Sequence, residues 1–357
     1  MTTFSCNTKI YFGIPGLKDL GSRRLLLVTD PYFAQNGTAE TLLTLSCATE
    51  HRVFDKISPD PSVELVAEGV ALVKEFQPDT VVALGGGSAM DCAKAMTYFA
   101  GVRPRLVMVP TTSGSGSEVT DFAVITKGSV KYPLVDEKLR PDVAILDDSL
   151  LKDMPKTIIA DAGFDVLGHA LEAYTAKNAN GFTDALAKDA FCTALTKLPG
   201  SFSGDRSVRL NIHQASTMAG MAFDQAGLGL CHAMAHSLGA TYHIPHGRLI
   251  AILLPAVMDC NVHSCGAKYA SLARSAGLPG TAETLAVRSL KNALIRLRKE
   301  LKMPATLKEA GIDPRQVWQD TERLVQTVLA DPCCSHNPIT PEAFMVRRIL
   351  EAVAGYG

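Results

Sequence analysis

The chain has 357 residues, long enough for two domains that each bury a core of their own. Hydrophobic residues make up 47% and charged residues 20%, a balance that suits a packed protein and excludes disorder. Its 35 basic and 36 acidic side chains are interspersed, so no single-sign surface for nucleic acid or an anionic membrane is expected.

Roughly the first 150 residues alternate short apolar runs with helical patterns. Leu25–Val28 reads as a strand ending at Thr29-Asp30, and Val63–Phe76 has helical spacing that stops before Pro78. Val81–Leu84 reads as a second buried strand, closed by Gly85-Gly86-Gly87-Ser88, and Ala89–Phe99 is helical again. A third strand, Leu106–Val109, runs into Pro110-Thr111-Thr112-Ser113, and a fourth is Val143–Leu146. Continuously apolar strands separated by helices predict a mostly parallel sheet covered on both faces.

From about residue 152 the texture becomes helical. Periodicity predicts helices near 157–176, 183–198, 208–223, 228–240, 247–260, 264–276, 281–301 and 341–354. The expected organisation is an α/β domain over 1–150 and a helical domain over 151–357, with the cleft between them as the default place for a site. The longest strongly apolar stretch, Leu249–Met258, is broken by Pro255 and is too short to span a bilayer. The opening residues lack a basic and an apolar signal region, and nine scattered cysteines form no CxxC pair. Reduced thiols in a soluble cytoplasmic protein, without a membrane partner, are expected.

Two loops suit phosphate binding. Gly85-Gly86-Gly87-Ser88 lies between a strand and a helix, where backbone N–H groups and the helix dipole favour an anion. Taken alone, these glycines serve equally well as a tight turn. Thr111–Glu118, rich in Ser and Gly, follows the next strand, and two such loops at neighbouring strand ends match ligand binding in open α/β sheets. Asp30 suits an adenosine ribose and opposes a 2′-phosphate, favouring NAD over NADP. Taken alone, however, it reads more simply as a turn residue before Pro31. The usual GxGxxG fingerprint is absent.

The helical region carries the sharper signal. Asp165 and His169 are at i and i+4, a polar pair within an apolar helix that is costly to bury without a cation. Four of the nine histidines, His232, His236, His243 and His246, fall within fifteen residues. A lone His reads as a core or surface residue, which suits His51, His213, His263 and His336. The cluster beside an Asp-x-x-x-His pair points instead to a divalent metal. Spacing leaves the choice among His232, His236, His243 and His246 open.

In this order, Gly85-Gly86-Gly87-Ser88 with Asp91 and Lys94, the Pro110–Glu118 loop, Gly163–Glu172 and His232…His236…Pro245-His246-Gly247 resemble the iron-containing (group III) alcohol dehydrogenases, over nearly the whole chain. The resemblance implies the dehydroquinate-synthase-like fold, a Rossmann-type parallel-sheet domain followed by a helical one. It implies Asp165, His169, His232 and His246 as metal ligands and His236 as a proton-relay residue near nicotinamide and substrate. It implies Asp30, Gly86, Gly87, Ser88, Thr111, Thr112 and Lys131 as NAD(H)-binding positions; His243 receives no role. Iron(II) is the family's metal, although mixed N/O ligands also suit zinc(II). Ser115 and Gly168 stand where the family commonly has Thr, changes expected to conserve space.

Within the family, Ala219–Phe223 and the opening Thr3-Phe4-Ser5 look most similar to the 1-propanol dehydrogenases of propanediol-utilisation microcompartments. That likeness implies interconversion of propanal and 1-propanol with the metal as Lewis acid, a homodimer, and association with a microcompartment. Two rival readings are weaker. Glycerol dehydrogenases and dehydroquinate synthases of the same fold use fewer histidines in one segment. A non-catalytic microcompartment shell or scaffold protein has no use for a ligand set and two cofactor loops.

Overall fold

The computed structural model describes residues 4–128 and 130–355. The chain divides into two compact units, Ser5–Met154 and Pro155–Gly357, and the ring of Phe4 stacks on Phe182 of the second at 5.3 Å.

In the first unit the elements run β1 (Lys9–Phe12), β2 (Arg24–Thr29), α1 (Pro31–Gln35), α2 (Thr38–Ser46), β3 (Glu50–Phe54), α3 (Val63–Phe76), β4 (Thr80–Gly85), α4 (Gly87–Ala100), β5 (Arg105–Pro110), β6 (Phe122–Lys127), β7 (Val130–Val135) and β8 (Val143–Leu146). Six strands pair in the order β1-β8-β5-β4-β2-β3, all parallel, while β6 and β7 form a separate antiparallel hairpin. Alternate residues of the inner strands feed opposite faces. Leu26, Val28, Val81 and Ala83 meet Val66, Val73, Met90 and Met96 of α3 and α4 on one side. Leu25, Leu27, Val82 and Leu84 meet Leu17, Leu20 and Leu42 on the other. Covering both faces is why these strands read as unbroken apolar runs, each buried Leu or Val contributing about 1.5–3 kcal/mol.

The strands that the sequence did not announce are β1, β3 and the hairpin. β1 and β3 lie at the sheet edges; Glu50-His51-Arg52-Val53 of β3 are exposed, and β1 has only the three apolar residues Ile10-Tyr11-Phe12, none of them buried.

The second unit contains α5 (Lys156–Thr175), α6 (Gly181–Ser203), α7 (Arg209–Ala226), α8 (Leu230–Tyr242), α9 (His246–Ser275), α10 (Glu283–Glu300), α11 (Pro314–Ala330) and α12 (Ala343–Ala354). A parallel-sheet domain followed by a helical one is the fold class that the sequence predicted. Two details differ. The helices expected at 247–260 and 264–276 are one 30-residue helix, α9, which carries Pro255 within it. By length and composition α9 is apolar enough to cross a membrane, contrary to the sequence reading, but it is mostly buried and packs against α5, α8 and α10. Helix α11, capped by Asp313 with Pro314 in its first turn, was not expected. Its buried stripe is only Val317, Leu324, Val325 and Val328; Trp318 and Leu329 are exposed, and most of the remaining residues are polar.

Candidate metal centre

Helix α5 is buried almost all round from Gly163 to Thr175, so Asp165 and His169 sit in the interior of the helical unit. His232 lies in the first turn of α8, and His246 is the first residue of α9, directly after Pro245. These elements bring three Nε2 atoms to one carboxylate oxygen. Asp165 Oδ1 is 3.3 Å from His246, 3.7 Å from His169 and 3.8 Å from His232. One donor atom from each of the four residues lies within 4.8 Å of all the others. A tetrahedral shell with metal–ligand distances of about 2.0–2.2 Å has edges of roughly 3.3–3.6 Å, close to these separations.

The rings are themselves held in place. His169 stacks on His232 with centroids 4.6 Å apart and packs against Phe223 at 4.4 Å. The firmest anchor is Glu172, one turn below His169 and to which the sequence assigned no role. Its carboxylate accepts from the backbone N–H of Gly229 at 2.8 Å, Cys231 at 2.7 Å and His232 at 3.3 Å. The same group meets His232 Nδ1 at 2.6 Å, leaving Nε2 to face Asp165. Glu172 thus caps the start of α8 and fixes the orientation of a candidate ligand in one contact set.

Gly247 is required next to His246. A Cβ there would lie 1.8 Å from the backbone oxygen of Asp161, so only glycine lets α9 begin this close to α5. Arg248 then pairs with the Asp161 carboxylate through two hydrogen bonds, of 2.9 and 3.2 Å.

Charge follows from this crowding. Burial favours the neutral acid at Asp165, but the three rings around it prevail and hold the carboxyl well below the usual carboxylate range. At His232 burial opposes the charged ring, and the carboxylates of Asp165 and Glu172 outweigh it, raising the pKa to about 9. His246 is pushed well below its ordinary value by burial and by its neighbouring rings, against the pull of Asp165.

The other two clustered histidines part company with this group. His236 stacks on His246 at 5.3 Å, but its Nδ1 meets Asp331 Oδ2 at 2.9 Å. His243 is exposed and caps α8 with φ 55°, its N–H bonded to Gly239, a structural role. Gly168 corrects another expectation. A Cβ there would meet Ile250 Cγ2 at 2.5 Å, so Ile250 fills the space that a Thr side chain needs, and the change does not conserve space.

In the Ser5–Met154 unit, the strand order reverses between β2 and β4, and Asp30 and Gly85–Gly87 lie at their carboxyl ends. Cβ atoms built at Gly86 and Gly87 would come 3.2 Å from Thr112 and Ser115, so the two loops approach closely because the first has no side chains. The N–H of Thr111 bonds to Gly85 O at 3.0 Å. Buried Lys94 braces the second loop by donating to Ser117 Oγ at 3.0 Å and to Thr120 and Phe122 O at 2.9 Å each. Asp30 caps α1, its Oδ1 accepting from Phe33 N at 3.1 Å, which realises the turn reading without using Oδ2 in that bond. Ser88 lies in the first turn of α4, where helical N–H groups lack intrahelical acceptors. Lys131, on β7, makes an ion pair with Asp60 at 2.6 Å, apart from the contacts that join the two glycine loops.

Comparison with known proteins agrees with this architecture. The family profile described as Iron-containing alcohol dehydrogenase matches residues 9–148, and the one described as Fe-containing alcohol dehydrogenase family, C-terminal, matches 159–354. A 1-propanol dehydrogenase of Citrobacter freundii is 40% identical, over 98% of this chain and 99% of its own length. An NADPH-dependent butanol dehydrogenase of Clostridium saccharobutylicum is 35% identical, over 99% and 98%. Among solved structures, an iron-containing alcohol dehydrogenase from Thermococcus thioreducens superposes with a TM-score of 0.90 at 32% identity, covering 99% of this chain and 100% of its own. A sulfoacetaldehyde reductase from Bifidobacterium kashiwanohense, in complex with NAD+, gives 0.91 at 26% identity, with full coverage of both chains. With both of its units matched, the chain belongs to the iron-containing alcohol dehydrogenase family.

Proposed function

We propose that the protein interconverts a short-chain primary alcohol and its aldehyde with NAD(H), and that propanal and 1-propanol are the pair it serves. The observation that carries this reading is the set of three imidazole nitrogens around Asp165 Oδ1. Asp165 Oδ1 and His232 Nε2 are buried with no hydrogen-bond partner, at a cost of about 1–3 kcal/mol each unless a cation takes them up. The donor set therefore fits one divalent ion, held by Asp165, His169, His232 and His246. Nitrogen and oxygen donors suit iron(II) and zinc(II) alike, and family membership favours iron. When bound, the ion supplies Lewis-acid polarisation of a substrate oxygen and NAD(H) supplies the hydride exchange.

The remaining work falls to the chain's own groups. His236 is assigned the proton, because its contact with Asp331 engages Nδ1 and leaves Nε2 to give or take it. Asp30, Gly86, Gly87, Ser88, Thr111 and Thr112 are assigned to the dinucleotide, with the carboxylate of Asp30 towards the ribose hydroxyls. Lys131 completes that set if it leaves Asp60. On this reading Ser5–Met154 binds NAD(H) and Pro155–Gly357 the metal. The likeness to 1-propanol dehydrogenases of Citrobacter freundii and Salmonella typhimurium supports the substrate; a homodimer in the cytoplasm or inside a microcompartment is part of the proposal that only the family resemblance implies.

The test is NADH oxidation with straight-chain aldehydes from acetaldehyde to hexanal, on iron-loaded, zinc-loaded and metal-free protein. Metal-dependent turnover that peaks at propanal is expected. Absence of turnover with every aldehyde in both loaded forms overturns the reading.

A further inference from the structure

We infer that the helical unit carries a second divalent-cation site, formed by His236, Asp331 and Cys333 and suited to zinc. One donor atom from each of these residues lies within 4.8 Å of the other two. They converge because α8 brings His236 against the junction where α11 ends and the short 3-10 helix Pro332–His336 begins. Asp331 organises that junction. Its Oδ1 accepts from Cys333 N–H at 2.9 Å, and its Oδ2 faces His236 Nδ1 at 2.9 Å. The carboxylate is thus fixed from two sides, by the Cys333 backbone N–H and by the His236 imidazole.

The chemistry of the trio differs from that of the Asp165 centre, with which it shares no residue. An imidazole, a carboxylate and a thiol form a mixed N/O/S set, which favours zinc over magnesium or calcium and disfavours hard octahedral ions. All three residues are half-buried, so an ion reaches them without unfolding the core, and three protein ligands leave a position for water. The thiol enters as thiolate, its proton passing to solvent. An ion here takes His236 Nδ1 away from Asp331. If His236 moves the substrate proton, a consequence that rests on the function proposed above, zinc at this site inhibits.

Cobalt(II) serves as the probe, because a thiolate ligand gives it a near-ultraviolet charge-transfer band that the sulphur-free Asp165 centre does not produce. Iron-loaded protein is titrated with cobalt(II) while bound iron is counted, and zinc is then added. The expected result is a thiolate band developing over one equivalent with iron retained, erased by zinc and absent in Cys333→Ser, whose zinc affinity falls by roughly tenfold or more. Cys333→Ser keeps its iron and its zinc-free turnover. No thiolate band, or a band that survives in Cys333→Ser, overturns the site. A band accompanied by unaltered turnover keeps the site and removes His236 from proton transfer.

Discussion

Replacing Glu172 by Gln tests how much of the candidate metal centre depends on a residue outside the proposed ligand set. The carboxylate accepts three backbone N–H groups and His232 Nδ1, all between 2.6 and 3.3 Å, and the residue is only 3% exposed. Gln keeps the shape but turns one acceptor oxygen into a donor that faces other donors. Hydrogen bonds to a charged group are worth about 1.5–3 kcal/mol each, and breaking a buried charged network costs about 3–5 kcal/mol. For a unit of about this size, 1 kcal/mol moves the melting temperature by roughly 2–4 °C, so a fall of about 6–20 °C is expected. His232 also loses the acceptor that orients its ring, and metal affinity should drop about 10–100-fold. Calorimetry and metal analysis after dialysis against a weak chelator measure both. A melting temperature within about 2 °C of the parent, with full metal content, refutes the reasoning.

In metal-free protein, His232 titrates near 9 against about 6.5 when unfolded, so its stabilisation is complete below 6.5 and lost as pH rises through 9. The shift corresponds to about 3 kcal/mol; denaturant titrations at pH 6 and pH 10 should show it without metal and not with metal, and a flat profile counts against it. Gly247→Ala drives a methyl group into the Asp161 backbone and displaces His246, so at least roughly tenfold weaker metal binding is expected; unchanged metal content would show that α9 can shift without consequence. Asp30→Ser keeps a cap for α1, limiting the stability change to about 1 kcal/mol, while NADPH should gain at least tenfold in kcat/KM relative to NADH. Unchanged cofactor preference would remove Asp30 from the nucleotide site.

What was legible in the sequence was whatever local spacing encodes. Inner strands buried on both faces, the glycine turns at their ends and an Asp-x-x-x-His pair all declare themselves within a few residues. Edge strand β3 did not, because one paired side asks little of its side chains. Spacing also could not separate the four clustered histidines; geometry does, through a left-handed cap at His243 and a carboxylate partner for His236. Asp331 lies 95 positions from His236, and Glu172 lies 57 to 60 positions from the groups it accepts, so neither could be read from local pattern. The space at Gly168 was misjudged for the same reason, since Ile250 is a neighbour only in three dimensions.

The three helices that meet at Asp165 have a consequence for the whole unit. Asp165 and His169 belong to α5, His232 to α8 and His246 to α9, so an ion there would act as a clasp between chain segments that the unfolded protein keeps far apart. Its binding energy then counts towards folding, about 2.7 kcal/mol when free metal is a hundredfold above its dissociation constant. The protein would accordingly persist longest in cells replete with its metal, and its half-life would serve as a gauge of metal supply.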